Sequence, residues 1–341
     1  MAGSTVANPG FVYDGYARFW HVTDLLMRDR EPDEALWHDL LSAPGYRELI
    51  AHEFTEDFFP EQFRLAFKPS LGASLAHVLR GGPHAGLLRH YLQTAETRDH
   101  VARGMEVLAS APVAAAARQM ALAWLPQGLG PAFPTVAFVI FAPDARGYEI
   151  VVVDAAFACQ LATPQAMLAH EYHHVFRRQV MAPRPEPLPG DKDVLWMLDQ
   201  LEAEGIADQI DKRDWPEETP AAAGRIADYA RAYRQHFESA TATIRQLDTL
   251  LAAWHDSPPE RQRIARQLRT MLPLAGHPTG SFMARLIERR LGRERCVAAV
   301  GNPFAFVRLY CEAAKTTGAA PMFGNAALAA VATLERSYLT A

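Results

Sequence analysis

Five consecutive residues, His170-Glu171-Tyr172-His173-His174, carry the densest chemistry in this 341-residue chain. On a helix, His170 and His174 stand one turn apart on one face, so both imidazoles reach the same cation. Glu171 is rotated by about 100° from His170. That places its carboxylate within reach of a water on the cation without making it a ligand. His173 falls about 60° to the other side and reads as a supporting or structural imidazole. Zinc suits these donors, because it takes imidazole nitrogen and carboxylate oxygen, and its catalytic sites combine three protein ligands with one open position.

The helix that must present them has a clear start, with Thr163 as N-cap and Pro164 at the first helical position, where a missing N–H costs nothing. At 100° per residue, Met167, His170, Glu171 and His174 share one side, while Leu168, Tyr172, Val175 and Phe176 cover the other. Both faces are therefore expected inside. A buried face with two histidines and a carboxylate needs a partner, and a divalent cation provides one. A third ligand is expected from Leu201-Glu202-Ala203-Glu204-Gly205-Ile206-Ala207-Asp208. Helical geometry puts Glu204 and Asp208 on the stripe of Val194, Met197, Leu198, Leu201 and Gly205, and turns Glu202 away with Asp199 and Gln209. The expectation is Glu204 as the buried carboxylate ligand and Asp208 as acceptor of a ligand histidine's second N–H. Gly205, with no side chain on that stripe, permits two helices to approach closely.

The combination of His170-Glu171-x-x-His174 with Glu204-x-x-x-Asp208 about 30 residues later resembles the gluzincin class of metallopeptidases, in which the downstream glutamate is the third zinc ligand. Glu204 to Asp208, the stretch His277-Pro278-Thr279-Gly280-Ser281-Phe282-Met283-Ala284, Asn302-Pro303-Phe304 running into Tyr310, and Leu36-Trp37 to Gly45-Tyr46 are similar to a little-characterised family grouped as zinc-dependent peptidases. The likeness covers most of the chain. It implies a zincin-like core, a zinc cofactor and a peptide or protein substrate. It also implies water activated at zinc and deprotonated by Glu171 as general base. A second donor to the oxyanion is then expected from His277 or Tyr310; His277 is placed for it ahead of a Pro-x-Gly turn. The chain departs from secreted members of the class in lacking a signal sequence and an acidic cluster suited to calcium, which argues against bulk digestion outside the cell.

Around these motifs, residues 13–126 read as short amphipathic helices broken at Pro32, Pro44-Gly45, Pro60, Gly72, Gly81-Gly82-Pro83 and Pro112. The run Gly128, Gly130, Pro131, Pro134 then opens the one β segment. Val136–Phe141 and Glu149–Val153 read as the arms of a hairpin over about 135–154, turned by Pro143-Asp144-Ala145-Arg146-Gly147, whose edge offers an extended peptide a strand to pair with. Pro183, Pro185, Pro187, Pro189 and Gly190 predict a stiff loop, with helix resuming near Val194. Only helices follow, including a long one from about Ala222 to His255. The expected fold is α+β, predominantly α-helical, with one small sheet and an active-site helix. Residues 1–130 form a helical N-terminal lobe and 131–341 the catalytic region.

A formal charge of −5 gives no pull toward nucleic acid or anionic membrane, and the basic stretch Arg285–Arg295 reads as a solvated helix face. No apolar run approaches the roughly 20 residues that span a bilayer. Cys159, Cys296 and Cys311 are odd in number and unpaired in spacing, as in a reducing compartment, so a cytoplasmic protein is expected. Two other readings use the same residues: a noncatalytic metal-bound or helical interaction protein, and a zinc hydrolase of a nonpeptide amide or ester. A structural site wants four protein ligands, commonly with Cys, and leaves Glu171 without a task.

Overall fold

The computed structural model describes residues 10–110, 112–128, 134–218 and 224–339. The expected boundary at 130/131 lies outside them. Two compact units emerge, each built from two stretches of chain: Met1–Gln119 with Pro131–Val175, and Met120–Gly130 with Phe176–Ala341. None of the described helices is long and apolar enough to cross a membrane.

The first unit opens with strand β1 (Phe11–Val12) and the helices α1 (Asp14–Leu26), α2 (Glu34–Leu41), α3 (Pro44–His52), α4 (Phe58–Phe67), α5 (Gly72–Leu79), α6 (Ala85–Glu96), α7 (Arg98–Ser110) and α8 (Val113–Leu122), the last running on into the second unit. Strands β2 (Val136–Val139), β3 (Ala145–Gly147) and β4 (Val151–Asp154) follow, then the short α9 (Ala155–Ala158) and α10 (Pro164–Val180), which from Phe176 on belongs to the second unit. The sheet order is β1-β2-β4-β3.

This corrects the hairpin. β2 and β4 run parallel, with Val136 opposite Val151 and Val139 opposite Asp154. The segment expected as their turn contains β3, antiparallel to β4. Every residue of β2 and β4 is buried, as in parallel strands covered on both faces, which read as continuous apolar runs rather than alternating ones. Side chains from the helices finish the strand ends. The Tyr46 and Tyr91 hydroxyls donate to the carbonyls of Ile140 and Phe141 at 2.8 and 2.9 Å. Asp154 accepts from the N–H groups of Phe141 and Phe157 and contacts His90 Nε2 at 3.0 Å. The sheet is thereby fixed to α3 and α6, and its last strand is fixed to the chain leading into α10.

The second unit contains α11 (Pro189–Asp211), α12 (Gly224–Glu238), α13 (Ala240–Asp256), α14 (Arg261–Met271), α15 (His277–Leu291), α16 (Arg293–Val297), α17 (Pro303–Thr317) and α18 (Asn325–Tyr338). Two expectations change here. α11 starts at Pro189, not near Val194, because its first turn has tertiary partners: Trp254 donates to the Gly190 carbonyl at 2.9 Å and Tyr338 to Asp191 at 2.7 Å. The long helix is two. Ser239 donates its hydroxyl back to the carbonyls of Gln235 and His236, which competes with the helical ladder and lets the chain bend before α13; the expected start at Ala222 lies outside the described residues. The basic stretch is also not wholly solvated, since Arg285 is buried and pairs with Glu217 through both terminal nitrogens.

Candidate functional site

In the first unit, α10 begins where Thr163 and Pro164 place its start, with the Ala166 N–H on the Thr163 carbonyl at 3.0 Å. His170, Glu171 and His173 are all buried, and Leu168, Tyr172 and Phe176 pack the opposite face at 0–1% exposure. Both faces are inside, as expected. The Nε2 atoms of His170 and His174 converge to 3.0 Å, their rings crossing at 79°. Two zinc-bound imidazole nitrogens at about 2.0–2.1 Å from the ion, with a tetrahedral angle, stand a little over 3 Å apart. The two histidines therefore fit a zinc ion with little adjustment.

Strand β3 lies against the same turn of α10. A Cβ at Gly147 would sit 2.7 Å from the Glu171 carbonyl oxygen, 3.2 Å from its Oε2 and 3.2 Å from the His174 Cβ. Only glycine allows this approach. Arg146 and Tyr148 on either side both bond Glu53 from the end of α3, Arg146 at 2.6 Å, and Tyr148 stacks on His52 at 4.5 Å. The strand at the sheet's edge is thus held on three sides: by β4, by α3 and by the helix carrying Glu171.

In the second unit, α11 buries Val194, Leu195, Met197 and Leu198, and from Leu201 to Gln209 every residue but Glu204. This overturns one step of the sequence argument. Glu202, expected to point away, is fully buried: its carboxylate takes the Arg177 guanidinium at 2.5 Å and the Gly301 N–H at 3.0 Å. Glu204 is the more exposed of the two, its side chain at 14%. What separates them is their partners: Glu202 is consumed by Arg177 and Gly301, whereas Glu204 meets His277 Nε2 at 3.3 Å.

His277 occupies the first position of α15. The residues expected to form a Pro-x-Gly turn after it, Pro278 to Gly280, instead make the helix's first turn. The chain enters through Leu274, Ala275 and Gly276 at φ of 47°, 52° and 95°, and the two non-glycines hold a left-handed backbone that costs about 1–3 kcal/mol each. The imidazole is fixed at its other nitrogen, where Nδ1 lies 2.9 Å from Asp208 Oδ1. Asp208, fully buried, also receives the Tyr233 hydroxyl and the Lys212 ammonium, both at 3.0 Å. Burial works to lower the pKa of His277, but the charges of Glu204 and Asp208 carry it above its ordinary value. Lys212 is pushed well above its own, as Asp208 and Asp211 outweigh its burial.

Gly205 does permit a close helix crossing, with α15. A Cβ at Gly205 would stand 2.5 Å from the carbonyl carbon of Gly280. Tyr310, the other expected oxyanion donor, has a buried ring edge-on to Phe323, and its hydroxyl donates to the Pro321 carbonyl at 2.7 Å. Burial pushes its pKa up. The first unit thus groups His170, Glu171 and His174. The second groups Glu204, Asp208 and His277, and engages Tyr310 elsewhere. Sequence reading missed Arg177, Tyr233 and Lys212. Of these, only Lys212, one turn after Asp208, left a local signal.

No curated protein and no solved structure matches the chain. Residues 37–319 match the family described as "Putative zinc dependent peptidase (DUF5700)", a span that includes His170, Glu171, His174, Glu204, Asp208, His277 and Tyr310. With most of its length covered by that match, the chain belongs to this family.

Proposed function

We propose that the chain is a gluzincin-like metallopeptidase that hydrolyses peptide bonds, with one zinc ion held by His170, His174 and Glu204 and with Glu171 as general base. The observation that carries the reading is the convergence of the His170 and His174 Nε2 atoms to 3.0 Å on the helix that also carries Glu171. The catalytic region is 131–341, which holds all these residues. When bound, the ion supplies Lewis acidity toward a water and toward the scissile carbonyl.

The chain's own groups do the rest. The Glu171 carboxylate takes the proton of the attacking water and returns it to the leaving amine. His277, with Nδ1 turned to Asp208, presents Nε2 as donor to the oxyanion, and Asp208 stabilises the imidazolium form that donates. Tyr310 is the weaker candidate for that donor because its ring is buried and its hydroxyl donates to the Pro321 carbonyl, whereas His277 Nε2 lies 3.3 Å from Glu204, the proposed third ligand. β3, at the end of the sheet order and next to Glu171, receives an extended substrate backbone, which makes the substrate a peptide or protein rather than nucleic acid or lipid. Three free cysteines support the cytoplasm as its compartment.

The test is metal analysis of the purified chain followed by a broad peptide library. One zinc per chain, cleavage abolished by a chelator, and cleavage restored by zinc are expected. A zinc-loaded wild type that cuts no peptide but hydrolyses a small amide or ester would move the substrate class. A chain that binds no zinc would end the proposal.

A further inference from the structure

α11 poses a positioning problem. From Leu201 to Gln209 every residue but Glu204 is buried, so no division into a wet and a dry face fixes its rotation there. Yet the direction of Glu204 depends on that rotation. A turn of about 15° would move a carboxylate about 6 Å from the axis by about 1.5 Å, well beyond the roughly 0.5 Å that a metal site tolerates.

Directional contacts must therefore set the rotation, and the strongest sit at Glu202, about 200° around the helix from Glu204. The Glu202 carboxylate is fully buried and has both oxygens engaged, one by Arg177 and the other by the Gly301 N–H. The Arg177 side chain is 8% exposed. Its Nη2 reaches both Glu202 and Asp199, the latter at 3.0 Å, and Asp199 is held in turn by Arg184 at 2.8 Å. Gly301, at φ 80°, adopts the left-handed backbone that presents its N–H there. Arg177 lies on α10, three residues after His174.

Removing two such charges from water costs several kcal/mol per ion, and well-packed apolar residues in their place are often as stable or more so. Stability alone does not account for this buried ion pair. What an ion pair adds is direction: Leu against Phe tolerates a small slide, whereas a carboxylate gripped on both oxygens does not.

We propose that Arg177 and Glu202 are positioning residues for the metal site, setting the rotation of α11 so that Glu204 is presented as a ligand. The inference rests on the zinc reading above. Its test is the double variant Arg177→Met/Glu202→Leu, with zinc affinity measured by competition against a chelator and melting temperature measured on the metal-free chain. The double variant should melt at or above the wild-type temperature and bind zinc about 10- to 100-fold more weakly, the usual effect of losing groups that orient ligands. Cobalt substituted for zinc should show an altered visible spectrum. Unchanged zinc affinity in a folded double variant overturns the proposal. Should the double variant not fold, Glu202→Gln, which keeps the shape and weakens the pair, is measured the same way with the same two outcomes. Wild type and His170→Ala run alongside: a wild type without zinc is the failure of the zinc reading, whereas a zinc-binding wild type matched by its variant is the failure of this one.

Discussion

Gly147 and Glu171 touch through backbone: a Cβ at 147 would stand 2.7 Å from the Glu171 carbonyl oxygen. The edge strand and the helix bearing the proposed general base are therefore in contact with no side chain between them. Gly147→Ala must push β3 away by several tenths of an ångström or shift Glu171. Because β3 is also held by β4 and by Glu53, the fold should survive. Peptide turnover should fall by about 10²-fold, the scale on which a 1 Å misplacement acts, while zinc content stays at the wild-type value. Wild-type turnover in this variant would show that the strand does not position substrate.

Glu202 and Glu204, two residues apart, should differ in what they cost the metal-free chain. Glu204→Ala should lose zinc and leave the metal-free melting temperature nearly unchanged, since the side chain is partly exposed. Glu202→Ala removes the fully buried partner of Arg177 and leaves it only the half-buried Asp199, which should cost up to about 3–5 kcal/mol. Denaturant unfolding of the two metal-free variants, with zinc measured on each, separates these outcomes. Full zinc retention in Glu204→Ala beside complete loss in Glu202→Ala would reverse the assignment.

The crossing of α11 and α15 gives a prediction about packing. Gly205→Ala places a methyl 2.5 Å from the Gly280 carbonyl carbon, backbone that cannot swing aside. Overpacking of this kind costs about 1–3 kcal/mol or more. Gly72→Ala, at the start of α5 with nothing within 4 Å of the new methyl, should instead be neutral or stabilising by up to about 1 kcal/mol. Equal stability in the two variants would mean that the helices part at little cost.

How far these features could be read from sequence depended on how local they are. The spacing of His170 and His174 and the start at Pro164 are properties of one helix, and both appear as read. Glu202 was misplaced because the stripe argument assumes one wet face, and from Leu201 to Gln209 α11 buries every residue but Glu204. The parallel pairing of β2 and β4 was hidden for a similar reason. Strands covered on both faces show no alternation, and β3 is three residues, Ala145-Arg146-Gly147, of turn-like composition. Asp208 was read as accepting from a zinc-ligand histidine. That the described partner would be His277, 69 residues on, follows from tertiary packing that no local pattern contains.

Glu171→Gln distinguishes an enzyme from a chain that merely holds metal. Glutamine has the size and shape of glutamate and can keep most polar contacts of the buried turn facing Gly147, so zinc content and melting temperature should hardly move. It cannot accept a proton. If Glu171 deprotonates the attacking water, peptide turnover should drop by about 10²- to 10⁴-fold, the usual contribution of general-base catalysis. Because the loss lies in the chemical step, kcat should carry it, with KM close to wild type. A chelator should abolish cleavage by the wild type and by any residual activity of the variant alike, and added zinc should restore each to its own level. A zinc-loaded Glu171→Gln variant that cleaves at the wild-type rate would remove Glu171 from the reaction and leave its buried carboxylate as part of the α10 packing against β3.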